Sequence, residues 1–104
     1  MDLLTKKDKK YTIKIDGKEY ELSPVNWNVL AGIEEEMGCS IQELMPRLQK
    51  LVYSTVLTLA WIFLRDKYDL TKEQVGIVTN HQEILTAASI ISDALLDFFG
   101  VNNE

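Results

Sequence analysis

The stretch Tyr11-Thr12-Ile13-Lys14-Ile15-Asp16-Gly17-Lys18-Glu19-Tyr20-Glu21-Leu22 decides how the chain is read. Tyr11, Ile13 and Ile15 alternate with Thr12 and Lys14, and Tyr20 and Leu22 keep the same phase beyond Asp16-Gly17. Alternation is the period of a half-buried strand. Asp-Gly between two such runs signals a hairpin, because both central positions of a type I′ turn need positive φ. A two-residue loop pairs Ile15 with Lys18, Ile13 with Tyr20 and Tyr11 with Leu22. One face is then apolar, and a hairpin alone is marginal in water, so that face must lie on the rest of the chain.

The pattern changes period after Leu22. Ser23-Pro24 reads as N-cap and first position of a helix, since proline's missing N–H costs nothing there. This helix is expected to run to about Met37, with Gly38 as its left-handed stop. Leu30, Ile33 and Met37 form its inward stripe, with Val29 and Trp27 at the margins, and Glu34, Glu35 and Glu36 crowd its last turn against the helix dipole. Ser40 and Glu43 have capping-box spacing and open a short helix through Ile41, Leu44 and Met45. Pro46 then either starts the next helix or kinks a continuous one.

The following helix, about Arg47 to Lys67, is apolar on nearly every side, which demands burial on several sides or contact with another chain. Thr71 and Gln74 give a second capping-box spacing, for a short helix over about Lys72 to Thr79. A last helix from about His81 to Phe99 follows Ile84, Ala87 or Ala88, Ile91, Leu95 and Phe98, and Gly100 ends it. The fold expected is α+β and mostly α: an N-terminal β-hairpin followed by a bundle of four to five helices. Residues 1–10 read as a disordered basic arm, 11–100 as a single domain (hairpin 11–22, helical body 24–99) and 101–104 as a tail.

At 104 residues, 46% of them hydrophobic, the chain suits one core and excludes enzymes built on a separate cofactor domain. Eleven Lys and Arg stand against 16 Asp and Glu, a net charge of −5. The first twenty residues carry six lysines and four acids, so the remainder is more acidic than the whole, at −7. An acidic body argues against nucleic-acid binding, which rests on cationic contacts. A single Cys39 permits no internal disulfide and points to a reducing setting. Residues 1–10 lack the apolar run of a secretory signal, and 51–64 is too short and too often interrupted to span a bilayer. No membrane association is expected.

His81, the one histidine, lacks the partners of a metal or catalytic site, and Cys39 has no histidine and orienting group to activate it. Glu34, Glu35 and Glu36 are consecutive and point in different directions, so they read as a solvated acidic turn. The reading is therefore of no enzyme, no metal and no cofactor. What stands out is surplus apolar surface: a helix without a polar face, and adjacent Phe98-Phe99, which can hardly both enter one core. Trp61, Leu64, Leu95, Phe98 and Phe99 are the candidate partner-binding residues.

The order of motifs resembles a known family. Gly17-Lys18-Glu19-Tyr20-Glu21-Leu22, then Trp27-Asn28-x-Leu30 through Glu34-Glu35-Glu36-Met37-Gly38 with Ser40-Ile41-x-Glu43-Leu44, is similar to the tail assembly chaperones of long-tailed bacteriophages and prophages. So is the later half, Leu57 to Leu64 followed by Asp69-Leu70-Thr71-x-Glu73-x-Val75-Gly76. The likeness spans about 11–99, and it departs from the family pattern in a longer basic arm and a more apolar middle helix. It implies a non-enzymatic protein of the host cytoplasm that binds the tape measure protein and recruits tail tube subunits, with self-association left open. The alternative is a small structural adaptor of the head-tail junction, retained in the particle. An acidic mimic of DNA would fit the charge but not the apolar middle helix.

Overall fold

The computed structural model describes residues 10–100; the expected tail at 101–104 and all but the last residue of the expected basic arm lie outside them. Strands β1 (Thr12–Ile15) and β2 (Lys18–Glu21) form an antiparallel hairpin, followed by helices α1 (Trp27–Met37), α2 (Ile41–Gln49), α3 (Tyr53–Leu64), α4 (Lys72–Val78) and α5 (His81–Phe99). The architecture is α+β and mostly α, as the sequence predicts. The register pairs Ile13 with Tyr20 and Ile15 with Lys18, and Asp16 and Gly17 take φ of 55° and 77°. The Leu22 amide donates to the Tyr11 carbonyl at 2.8 Å and carries the ladder one pair further.

The hairpin lies along α5, held at both ends. At the turn, the amides of Asp16 and Gly17 donate to the two carboxylate oxygens of Glu83 at 2.9 and 2.8 Å. At the open end, the Tyr11 hydroxyl donates to Asp97 Oδ2. Glu83 and Asp97 are about 21 Å apart along a helix, and Tyr11 and Asp16 about 17 Å apart along a strand, so strand and helix are commensurate. Ile13 and Ile15 are buried between them.

Helix α3 is the centre of the molecule. Val56, Leu59, Ala60, Ile62, Phe63 and Leu64 are buried, and α1, α2, α4 and α5 all pack on it. This explains its lack of a polar face without a second chain. Its end is satisfied from afar: the Ser23 amide donates to the Phe63 carbonyl at 2.9 Å, one of the carbonyls a helix end leaves without an internal partner.

That bond corrects the expected start of α1. Ser23 is buried against α3, and the cap is Asn26, whose side chain accepts from the Val29 amide at 2.9 Å. Both sites have cap chemistry, and the tertiary bond to Phe63 selects the later one. The stop at Gly38 stands, with φ of 71°. The acidic turn is not merely solvated. Glu34 Oε2 accepts from the Ile41 amide at 2.9 Å and so caps α2 beside Ser40, and Glu36 pairs with Arg65 at 3.5 Å. Acids set against their own helix dipole thus serve the start of the next helix and a neighbouring cation.

A second correction concerns the expected helix from Arg47 to Lys67. Pro46 lies inside α2, and the chain breaks after Gln49, where Leu51 takes φ of 57°. The Leu51 amide reaches the Leu48 carbonyl at 3.1 Å and the Val52 amide the Arg47 carbonyl at 2.9 Å. This is a Schellman ending with leucine where glycine is usual. It folds α2 back so that Leu44 and Leu48 enter the core. The left-handed conformation costs a leucine about 1–2 kcal/mol, but its side chain is half-buried against the core. Leu51→Gly should therefore change stability by less than about 1 kcal/mol, the strain relieved offsetting the contact and chain entropy lost. Leu51→Val, a β-branched residue at positive φ, should cost about 2 kcal/mol. Urea titration of both variants checks the contrast.

Candidate interaction surface

Trp27, Phe98 and Phe99 meet where the first turn of α1 reaches the last turn of α5. The Trp27 ring lies edge-on to Phe98 at 5.0 Å and to Phe99 at 6.5 Å, and the two phenylalanines are 5.4 Å apart. Trp27 is 70% exposed and Phe99 44% exposed, while Phe98 is half-buried and joins the patch to the core. Large aromatic rings in water lose the transfer free energy that burial would give, roughly 1.5–3 kcal/mol for a side chain of this size. A contiguous cluster of them is the usual mark of an interaction site.

Of the five residues singled out in the sequence, only Phe98 and Phe99 belong to this surface. Leu64 and Leu95 are completely buried and correct the expectation: the helices around α3 cover both, so neither can meet a partner. Trp61 is half-buried and engaged within the chain. Its Nε1 donates to the Leu70 carbonyl at 2.9 Å, and Arg65 and Lys72 stand 4.8 and 5.8 Å from the ring centre. It braces the connector between α3 and α4, as does Tyr68, whose hydroxyl accepts from the Glu21 amide at 3.0 Å and whose ring meets Tyr20 edge-on.

Trp27 escaped the sequence reading as a surface residue. With a helix starting at Pro24 it would sit a turn inside and flank the buried stripe; with the cap at Asn26 it is the first residue and projects beyond the core. The signal that could have found it is Asn26 itself, which has N-cap chemistry three residues before Val29.

The outer side of α5 extends the surface. Leu85, Ser89, Ser92, Leu96 and Phe99 recur at alternating spacings of four and three, the seam of a helix that packs on another helix. All five are half-buried or exposed. Leu85, Ala88, Ser89, Ser92 and Asp93 also form one wall of an open groove, with Leu48, Gln49 and Leu51 of the α2 ending opposite. Ser89 and Ser92 are small residues of the α5 wall, and Leu85 is the large one.

Among the described residues, no group of three or more His, Cys, Asp or Glu is placed to hold a metal ion. His81 opens α5, exposed, with its ring 6.1 Å from Tyr53, and Cys39 is half-buried behind the α1 stop. Glu83 has a shifted titration. The Gly17 amide, then those of Asn80 and Asp16, hold its carboxyl below the usual glutamate range, and Lys14 adds to this while burial opposes it. Its partners are structural, with no open space for a substrate. No helix among the described residues is long and apolar enough to cross a membrane.

Fold and surface together define a small α+β domain with an exposed aromatic cluster at the meeting of α1 and α5. No family model, no curated protein and no solved structure matches the chain.

Proposed function

We propose that this protein is a non-enzymatic tail assembly chaperone of the kind found with long-tailed bacteriophages, acting in the host cytoplasm. It binds the tape measure protein, keeps the long apolar helices of that protein dispersed, and helps recruit tail tube subunits. The order of its motifs supports this reading. The observation that carries it is the Trp27, Phe98 and Phe99 cluster, exposed on a body whose net negative charge limits self-aggregation. A chaperone of apolar helices needs a solvent-facing apolar surface and no reaction centre.

The test is coexpression of the full chain with the tape measure and tail tube proteins of the same phage or prophage. The chain is expected to hold the tape measure protein in the soluble fraction, in salt-resistant complexes, and to be missing from purified particles. Phe99→Asp should weaken capture by at least about tenfold, the equivalent of 1.4 kcal/mol, while thermal unfolding stays within about 2 °C because the ring is half exposed. Intact capture by Phe99→Asp would remove the patch from the mechanism. Recovery of the chain as a ring within particles would replace the chaperone with the head-tail adaptor.

A further inference from the structure

The exposed aromatic cluster lies beside the point where the described chain starts. The Tyr11 hydroxyl donates to Asp97, two residues before Phe99, while the Asp16-Gly17 turn is tied to Glu83 near the other end of α5. Strand β1 therefore runs toward the start of α5, and the residues before it leave in the direction in which α5 ends. Phe99 stands only about 3 Å further along the helix axis than Asp97. Leu4 and Leu3 precede Lys10 by six and seven residues. At about 3.3 Å per residue they reach anywhere within about 20 Å of Lys10, a radius that takes in Phe99 and the Trp27 ring beside it.

The order of side chains before Lys10 matches what they meet. Lys9, Lys7 and Lys6 come first and outnumber Asp8 and Asp2, and Leu4 and Leu3 lie beyond the lysines. At the end of α5 the last turn carries Asp97 and no basic residue, so the negative pole of the helix has no cation of its own there. Lys10 and Lys67, the described cations at the open end of the hairpin, both face Glu21, at 3.9 and 3.3 Å. The exposed rings of Phe99 and Trp27 follow directly. The segment 101–104 starts at the same end of α5 but offers Val101 as its one apolar side chain, too little to cover the cluster.

We propose that residues 1–9 pass over the end of α5 and cover the aromatic cluster, with Leu3 and Leu4 against Phe99 and Trp27 and the lysines beside Asp97 and the last carbonyls of α5. The tether selects this occupant over a free one of equal chemistry. A short linker holds its segment at about millimolar effective concentration, so a contact of only millimolar strength is about half formed with no partner present. The arm is then a guard on the surface, shielding the rings until a client that binds more tightly displaces it. The effect on capture rests on the chaperone reading, whereas the docking of the arm does not.

Nuclear Overhauser contacts in the full chain test it. The Leu3 and Leu4 methyl groups are expected to show contacts to the Trp27 and Phe99 rings. Replacing both by Leu3→Ser and Leu4→Ser should shift the Trp27 indole N–H resonance while thermal unfolding stays within about 2 °C. A synthetic amphipathic helix of about 18 residues with one leucine face should bind this double variant about twofold more tightly than the native chain, because about half of the native surface is covered. Absent methyl-to-ring contacts with an unmoved indole resonance would overturn the proposal. Contacts seen only between chains, in a mixture of labelled and unlabelled protein, would assign the cluster to the arm of a second copy instead. Weaker peptide binding by the double variant would make Leu3 and Leu4 part of the partner site and overturn the guard. Methyl-to-ring contacts in a chain that fails to hold the tape measure protein on coexpression would uphold the docking and count against the chaperone reading, so that either can fail alone.

Discussion

Glu83→Gln is expected to loosen the hairpin from α5 and to lower the melting temperature near neutral pH by about 10 °C, the scale of losing charge-assisted hydrogen bonds in a domain of this size. One carboxylate accepts three amides: Asp16 and Gly17 in the hairpin turn at 2.9 and 2.8 Å, and Asn80 at the start of its own helix at 3.1 Å. A glutamine keeps one acceptor oxygen and turns an amide donor toward the remaining N–H groups. The loss also depends on pH. The carboxyl is held below its usual range in the folded state, chiefly by the Gly17 amide, so between the folded and unfolded values the unfolded chain binds more protons and stability rises with pH. The contribution is complete above the ordinary glutamate value, about 4.3, and vanishes as pH falls through the lower folded one. Melting curves of native and variant chains should therefore converge in acid. Hydrogen exchange at the Asp16 and Gly17 amides should quicken in the variant, whereas an unchanged rate would show that Glu83 does not hold the turn.

Phe63→Ala is expected to cost about 3–5 kcal/mol, the range for emptying a buried phenylalanine site. The side chain is completely buried in α3, the helix on which four others pack. Against a total stability of about 5–15 kcal/mol for a domain, that is enough to populate the unfolded chain at physiological temperature. The matched control is Phe99→Ala, on a ring 44% exposed, which should cost less than about 1 kcal/mol. Urea midpoints of the two variants measure the difference. Similar midpoints would mean that Phe99 is as much a part of the core as Phe63.

The candidate surface was legible only in part. Adjacent Phe98 and Phe99 announced that one of them must face outward, since neighbours on a helix are 100° apart, and the structure exposes Phe99. Trp61, Leu64 and Leu95 were counted with them as excess apolar surface and are used inside. Helical periodicity tells which side of its own helix a residue occupies, but not which neighbouring element covers that side. Trp61 finds the Leu70 carbonyl, and Leu64 and Leu95 find the core. Trp27 joined the surface because α1 begins three residues later than its first cap signal.

By itself the sequence determined the features closed within a few residues. Asp16-Gly17 set the hairpin and its register, Gly38 and Gly100 ended α1 and α5, and the Ser40–Glu43 and Thr71–Gln74 pairs started α2 and α4. Each is decided by one residue's allowed φ or by a side chain reaching a nearby amide, interactions that need no distant partner. Tertiary structure alone decided the rest: Asn26 over Ser23 as the cap of α1, the break at Leu51, and the hold of Glu83 on the hairpin turn, beyond its own capping box with Asn80. Serine and asparagine cap a helix about equally well, and in all three cases a contact from far along the chain decides the outcome. The Phe63 carbonyl claims the Ser23 amide, the core claims Leu44 and Leu48 by folding α2 back, and a turn more than sixty residues away claims the carboxylate of Glu83.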